Sequence, residues 1–241
     1  MIHSVIIGGS KGLGRSVAQK LVERGDRVFV ISRSIPANKI ENVNYFAADI
    51  EDKDAVNGVL EEISQAGKIN YLVFSQRYRG SGDSWVGEID VSITASKLII
   101  EFFQDKFSAD DNAILFVSSV FGEYVGEGQA LSYHMGKAGM NTLMRYYAVN
   151  LAKNGIRANA VTPFTFKKEE SKDFYNSQTE LMNLYKDIVP LKRLGTADEI
   201  SDVVTFLCSY QARYVNGQNL YIDGGLSLVW PESIARSIKK I

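Results

Sequence analysis

The sequence predicts an α/β fold: one doubly wound parallel sheet of about seven strands with helices on both faces. Three observations predict it. Short apolar runs recur along the whole chain, most of them are near-continuous in Val, Ile, Leu and Phe, and stretches of helical periodicity lie between them. Unbroken apolar runs are how strands buried on both faces read. Strand–helix alternation then implies a parallel sheet covered on each side. At 241 residues the chain fits a single α/β domain, residues 1–241.

In chain order the predicted strands are residues 4–7, 27–31, 44–46, 71–74, 113–117, 157–161 and 219–222. Gly25 follows an apolar helical stretch and is placed to end the first helix. Met140, Leu143, Met144, Tyr147 and Leu151 repeat with helical spacing, as do Ile200, Val203, Val204 and Leu207. Residues 163–195, rich in Lys, Glu, Ser and Asn, are expected to be irregular. A long loop in a compact domain is often a lid, so this segment is the expected substrate loop. Residues 227–241 read as a C-terminal extension in which Ile234, Ile238 and Ile241 share one helical face. That face packs on its own subunit or docks on a neighbour.

Net charge is −1 with no long basic run, which argues against a nucleic-acid partner. No apolar run approaches the ~20 residues of a spanning helix, and no signal peptide is seen. A cytoplasmic location without membrane association is therefore expected. The single cysteine, Cys208, reads as a buried thiol. No His/Cys/Asp/Glu cluster has metal-ligand spacing, so no metal is expected.

The run Ile7-Gly8-Gly9-Ser10-Lys11-Gly12-Leu13-Gly14 leads from the first strand into a helix. Gly8 allows a tight turn, Gly12 a close approach of backbone to a pyrophosphate, and Gly14 close helix–sheet packing. The helix N-terminus then faces the phosphates. The second strand ends Ser32-Arg33-Ser34, without the carboxylate that would bond both ribose hydroxyls and select NAD. Arg33 can fork onto a 2′-phosphate, Ser32 and Ser34 can donate to it, and Lys11 adds a second positive charge. Arg33 and Lys11 also read singly as solvated residues; together at these positions they favour NADP(H). Asp49 sits where a carboxylate could bond the adenine amino group.

Tyr133 and Lys137 lie one helical turn apart on one face. A nearby ammonium favours a phenolate over a phenol, so such a tyrosine can exchange a proton with a carbonyl or hydroxyl. Ser118 and Ser119 end a buried strand, on the sheet edge where open α/β sheets bind ligands.

With these motifs in view, the chain resembles the short-chain dehydrogenase/reductase family over nearly its whole length, as an atypical member. The resemblance rests on Gly8 through Gly14, Asp49-Ile50, Ser118-Ser119, Tyr133 through Lys137, Gly155 through Pro163, Pro190 through Gly195, and Tyr214-Val215-Asn216-Gly217 through Asp223-Gly224-Gly225. It implies a seven-stranded Rossmann-type sheet, a homotetramer or homodimer, and hydride transfer between a nicotinamide cofactor and a small carbonyl or alcohol substrate. By position Tyr133 is the implied general acid/base. Lys137 is the cation that assists it and holds the nicotinamide ribose, and Ser119 orients the substrate carbonyl. Implied cofactor contacts extend to Gly8, Ser10, Gly12, Leu13, Gly14, Ile50, Ser75, Gln76, Pro163, Phe164 and Thr165.

Four departures stand against this pattern. Ile7 replaces the family's Thr before the first glycine. Phe74-Ser75-Gln76-Arg77 replaces Asn-Asn-Ala-Gly after the fourth strand. Ser92 takes the place of the Asn that completes the family's catalytic tetrad and holds a water; a serine can still bond a water. Phe164 replaces the Gly of a Pro-Gly pair and is expected to narrow or stack near the nicotinamide pocket. They admit a second reading, a catalytically impaired protein that binds NADP(H) as a sensor or scaffold. Arg77, Tyr78 and Arg79, with Lys167 and Lys168, read either as contacts for an anionic substrate group or as solvated charges. His134 points away from the Tyr133–Lys137 face and is expected to pack, while His3 shows no partner in the sequence.

Overall fold

Strand β1 (His3–Ile7) is buried at every residue, as its apolar run requires. It lies inside a seven-stranded, all-parallel sheet in a computed structural model of the chain, described over residues 1–239. The strands that follow are β2 (Arg27–Ser32), β3 (Val43–Ala47), β4 (Tyr71–Phe74), β5 (Asn112–Val117), β6 (Ile156–Pro163), β7 (Phe166–Lys167), β8 (Gly195–Thr196) and β9 (Asn219–Ile222). All but β7 and β8 join the main sheet, in the order β3-β2-β1-β4-β5-β6-β9. Each predicted strand is present, and the ends differ by at most two residues.

Alternate side chains of each strand go to opposite faces. Val5, Phe29, Leu72, Phe74 and Phe116 meet α2 (Lys53–Gln65), α4 (Ala95–Phe103) and α5 (Leu131–Asn150). Ile6, Val28, Val30, Val73 and Leu115 meet α1 (Gly12–Glu23) and α8 (Ala197–Leu207). The periodic residues Met140, Met144, Tyr147 and Leu151 are buried in the first layer, and Ile200, Val204 and Leu207 in the second. The stop after α1 is a Schellman turn. Gly25, at φ +96°, donates its N–H to Val22 O, and Asp26 donates to Leu21 O.

The chain builds β1, β2 and β3 towards one edge, then returns to place β4 on the other side of β1. This reversal opens a crevice beyond the C-terminal ends of β1 and β4, where doubly wound sheets bind ligands. Between β4 and β5 a short helix, α3 (Ser84–Ile89), runs into a π-helical turn at Asp90–Thr94 and on into α4.

Residues 163–195 are not irregular. They contain β7, a 3-10 turn at Glu169–Ser171, α6 (Lys172–Ser177) and α7 (Thr179–Ile188). Neither α6 nor α7 carries a fully buried residue; the apolar side of α7, Leu181, Met182, Tyr185 and Ile188, is only partly covered, so the segment lies outside the core. The ends of the segment are clamped together by β7 and β8, which pair in parallel. The C-terminal α9 (Pro231–Lys239) packs on α7 of its own chain, with Ser237 Oγ donating to Asp187 O at 3.0 Å. Ile241 lies outside the described residues.

Two lone side chains settle as packing residues. Cys208 is buried, which pushes its thiol up to about 12. His3 meets the Phe29 ring edge-on, and burial lowers its pKa.

Helix α8 starts with a reciprocal capping box. Thr196 Oγ1 accepts from Glu199 N, and Glu199 Oε2 accepts from Thr196 N at 3.0 Å. Replacing Thr196 with Ala is expected to lower the unfolding free energy by about 1 kcal/mol, while Thr196→Asp retains most of it, as read by urea denaturation.

Candidate active site

The crevice holds a cavity of about 650 Å³. Its floor is the turn between β1 and α1. Gly8 takes φ +88° there, and Gly12 takes φ +57°. A Cβ on Gly8 would lie 2.8 Å from Gln76 N, and one on Gly14 would lie 2.3 Å from Gly8 O. Only glycine permits either contact, so the turn is nested against both α1 and the end of β4. Ser10, Lys11 and Leu13 complete this wall.

Helix α1 starts with no side-chain cap and no acidic residue in its first turn. Its N–H groups are thus available to an anion. The Gly12 N–H already donates, at 2.7 Å, to Oε1 of Glu170 from the 3-10 turn of residues 169–171. That carboxylate oxygen stands in for an anionic ligand atom such as a phosphate oxygen. The cradle therefore fits a dinucleotide phosphate.

At one end of the cavity lie Ser32, Arg33 and Ser34 after β2, with Asp49 and Ile50 after β3. Arg33 and Lys11 are exposed and form no ion pair with a described carboxylate. The Ser32 hydroxyl does not point to a ligand as expected: it donates to Ser34 O at 2.9 Å, closing the tight turn between them. Asp49 accepts from Glu51 N at 3.2 Å. Glu51, which no motif announced, shares this end. Burial raises its pKa, repulsion from Asp49 and Asp90 adds to the rise, and Arg33 opposes it.

At the other end Ser119, Tyr133 and Lys137 converge. Ser119 follows β5 and caps the 3-10 turn at Val120–Gly122, its Oγ accepting from Phe121 N at 3.3 Å. The hydroxyl proton remains available to a ligand. Tyr133 and Lys137 share one face of α5, with Lys137 Nζ 5.6 Å from the Tyr133 ring centre. Lys137 is only 3 % exposed, and its ammonium donates to Val117 O at 2.9 Å. Burial lowers its pKa to about 8; Glu88 holds it up against that trend, and Arg77 adds to the lowering. His134 packs as expected, its Nε2 accepting from Gly126 N at 3.0 Å and its ring lying against Phe121.

Every expected cofactor contact lines the cavity, including Ser75, Gln76, Pro163, Phe164 and Thr165. Ser92 does not. It is fully buried, and its hydroxyl donates to Glu88 Oε1 at 2.5 Å rather than into the cavity. Gln76 also turns inward, its amide donating to Val91 O and Ser96 Oγ. Phe164 meets the Tyr185 ring of α7 at 5.8 Å and so braces the segment that covers the crevice.

Arg77, Tyr78, Arg79 and Lys168 line the same cavity, whereas Lys167 does not. The Arg77 guanidinium lies 5.0 Å from the Tyr133 ring centre. Burial lowers the pKa of Lys168, and Arg79 and Arg77 repel its charge further.

Removing the stand-in carboxylate tests the cradle. Glu170→Gln is expected to tighten binding of 2′,5′-ADP about threefold, because an exposed competing charge is lost. Isothermal titration of the two proteins reads this directly.

Comparison with known proteins agrees with this arrangement. The family model described as Enoyl-(Acyl carrier protein) reductase matches residues 8–227. A 3-oxoacyl-(acyl-carrier-protein) reductase of Staphylococcus aureus is 30% identical over 242 residues, 92% of this chain and 97% of that protein. A tropinone reductase homologue of Arabidopsis thaliana is 29% identical over 245 residues, 93% and 90% of the two chains. The ligand-free aldohexose dehydrogenase of Thermoplasma acidophilum superposes with a TM-score of 0.83 at 26% identity, covering 95% of this chain and 96% of that one. With the seven-stranded sheet, the glycine cradle and the Ser119, Tyr133 and Lys137 cluster, these matches place the chain in the short-chain dehydrogenase/reductase family of oxidoreductases, which use nicotinamide cofactors.

Proposed function

We propose that the protein is an NADP(H)-dependent reductase/dehydrogenase that interconverts a carbonyl and a secondary alcohol. The observation that carries this reading is the convergence of Ser119, Tyr133 and the buried Lys137 in the cavity that also contains the glycine cradle. When bound, the nicotinamide supplies or accepts the hydride. The chain's own residues handle the oxygen and its proton. Ser119 donates its free hydroxyl proton to the substrate oxygen and polarises it. Tyr133 gives that oxygen a proton in reduction and takes it back in oxidation. Lys137 remains largely protonated at neutral pH and stabilises the negative charge that develops on Tyr133.

The preference for NADP(H) is supported by the unpaired Arg33 and Lys11 and by the lack of a carboxylate at the end of β2. An anionic substrate is supported by Arg77 and Arg79, which face the cavity without carboxylate partners, Arg77 beside Tyr133. Residues 163–195 then act as the substrate lid within one NADP-binding domain. A 3-oxoacyl thioester, a sugar or sugar nucleotide, and a small ketone all suit this chemistry. Exposed Leu131, Met135, Tyr146 and Val149 on α5 offer an apolar face for a homo-oligomer.

The withdrawal of Ser92 from the cavity favours a second reading, a cofactor-binding sensor or scaffold without turnover. NADPH absorbance with a panel of carbonyl compounds separates the two. The enzyme reading expects turnover that falls about a hundredfold or more in Tyr133→Phe. Tight NADPH binding with no turnover on any carbonyl selects the sensor. Arg33→Ala is expected to weaken NADPH binding about tenfold while leaving NADH binding nearly unchanged; equal losses for both cofactors would remove the NADP preference.

A further inference from the structure

One carboxylate buried against α5 has no part in the proposed mechanism. Glu88, on α3, is 4 % exposed and makes no ion pair with any described cation. Isolated carboxylates are costly to bury, so its position calls for a physical reason. Ser92, four residues on and inside the π-helical turn, donates its hydroxyl to Glu88 Oε1. This fixes one carboxylate oxygen. The same oxygen and the Cγ rest on α5 at Gly136, where a Cβ would come within 2.8 Å of Glu88 Cγ and 2.9 Å of Oε1. Gly136 lies between Tyr133 and Lys137 in the same helix. The carboxylate is therefore seated against the turn that carries both reactive groups.

We propose that Glu88, locked by Ser92 and admitted by Gly136, is the fixed counter-charge of Lys137 and offsets the positive charge of Arg77 at the site. It is a positioning residue that acts through Lys137 and does not itself reach the cavity. The proposal rests on the reading of Tyr133 and Lys137 as the reactive pair for its catalytic consequence.

The charged groups facing Lys137 come from three directions. Glu88 faces it from α3 and Arg77 from the segment after β4, while Tyr133 is the titratable neighbour on its own helix. Burial is the largest influence on the ammonium and disfavours the charge; Arg77 disfavours it further, and Glu88 is the charged group that favours it. The family's residue at the place of Arg77 is an uncharged glycine, and its asparagine stands at the place of Ser92. Arg77 is gained beside Tyr133, and Ser92 gives up contact with the cavity to hold Glu88.

The test is a titration of Lys137 by carbon NMR in protein carrying labelled lysine and glutamate, with Lys137→Met to assign the signal. No turnover is needed. The wild-type ammonium is expected to titrate near about 8. In Glu88→Gln the midpoint falls by about one pH unit, because the charge that favoured the ammonium is gone. Glu88→Asp keeps the wild-type midpoint within a few tenths of a unit. Arg77→Ala raises it, and the Glu88→Gln/Arg77→Ala double variant returns towards wild type. A Glu88→Gln midpoint equal to wild type overturns the proposal.

Should Glu88→Gln fail to fold, the unmodified protein still decides. The Glu88 carboxyl carbon is expected to shift as Lys137 titrates, and a flat response across that pH range also overturns the proposal. If no carbonyl is ever reduced yet the midpoints move as stated, the enzyme reading fails and the counter-charge stands. If turnover is found, its basic limb moves to lower pH in Glu88→Gln with KM unchanged. Turnover with unmoved midpoints removes Glu88 alone.

Discussion

Gly14 lies so close to the carbonyl of Gly8 that no side chain fits between them, and the rest of the site is arranged around this contact. It draws the first turn of α1 down onto the end of β1, so the helix aims its free N–H groups into the crevice. On the opposite side Gly8 also lies too close to Gln76, just after β4, for a side chain to fit. The two approaches fix the phosphate cradle relative to both central strands. Because β4 pairs with β5, and β5 delivers Ser118 and Ser119, the same contacts set where an oxygen chemistry can occur relative to a bound dinucleotide. A methyl group at either glycine would separate parts that must stay within a few ångströms.

The second organising constraint is charge at low dielectric. Lys137 loses nearly all its contact with water, and desolvation penalises its ammonium. The Val117 carbonyl accepts one of its protons, and Glu88 supplies the opposite charge from a neighbouring helix. At the rim the balance reverses. Arg77, Arg79 and Lys168 gather there without an ion-pair partner among the described residues, and the two arginines repel the charge of Lys168. One carboxylate already answers part of that field: Glu170 reaches back across the crevice to the Gly12 N–H.

Legibility in the sequence followed the physics of each feature. Strands buried on both faces have no choice but to be apolar, so β1, β2, β4, β5 and β6 could be read directly, while the half-buried edge strands β3 and β9 were read from short runs mixing Asn with apolar and aromatic residues. Glycines required by close approach and the Tyr133–Lys137 spacing were equally plain, because few other residues can do those jobs. The helices of residues 163–195 were not read, because the polar Lys-, Glu-, Ser- and Asn-rich composition hid the helical spacing of Leu181, Met182, Tyr185 and Ile188 on α7. Ser92 was matched to the cavity by position, but its partner Glu88 lies on the same helix and captures its hydroxyl. Glu88 itself has no motif. The trace it leaves is Gly136, a glycine within a helix interior, where it costs stability unless something must pass close by.

The ladder between β7 and β8 is only two residues long on each side, yet it closes the base of the whole segment over the crevice. On the proposed reading of residues 163–195 as the substrate lid, much of what distinguishes one substrate from another can be carried on a panel whose two attachment points stay fixed. Length and composition between those points can drift at little entropic cost, since loop closure depends only weakly on size. Evolution could thus exchange the panel while the hydride-transfer machinery beneath it remains the same, which makes this clamp the natural seam for grafting a new specificity onto an old catalyst.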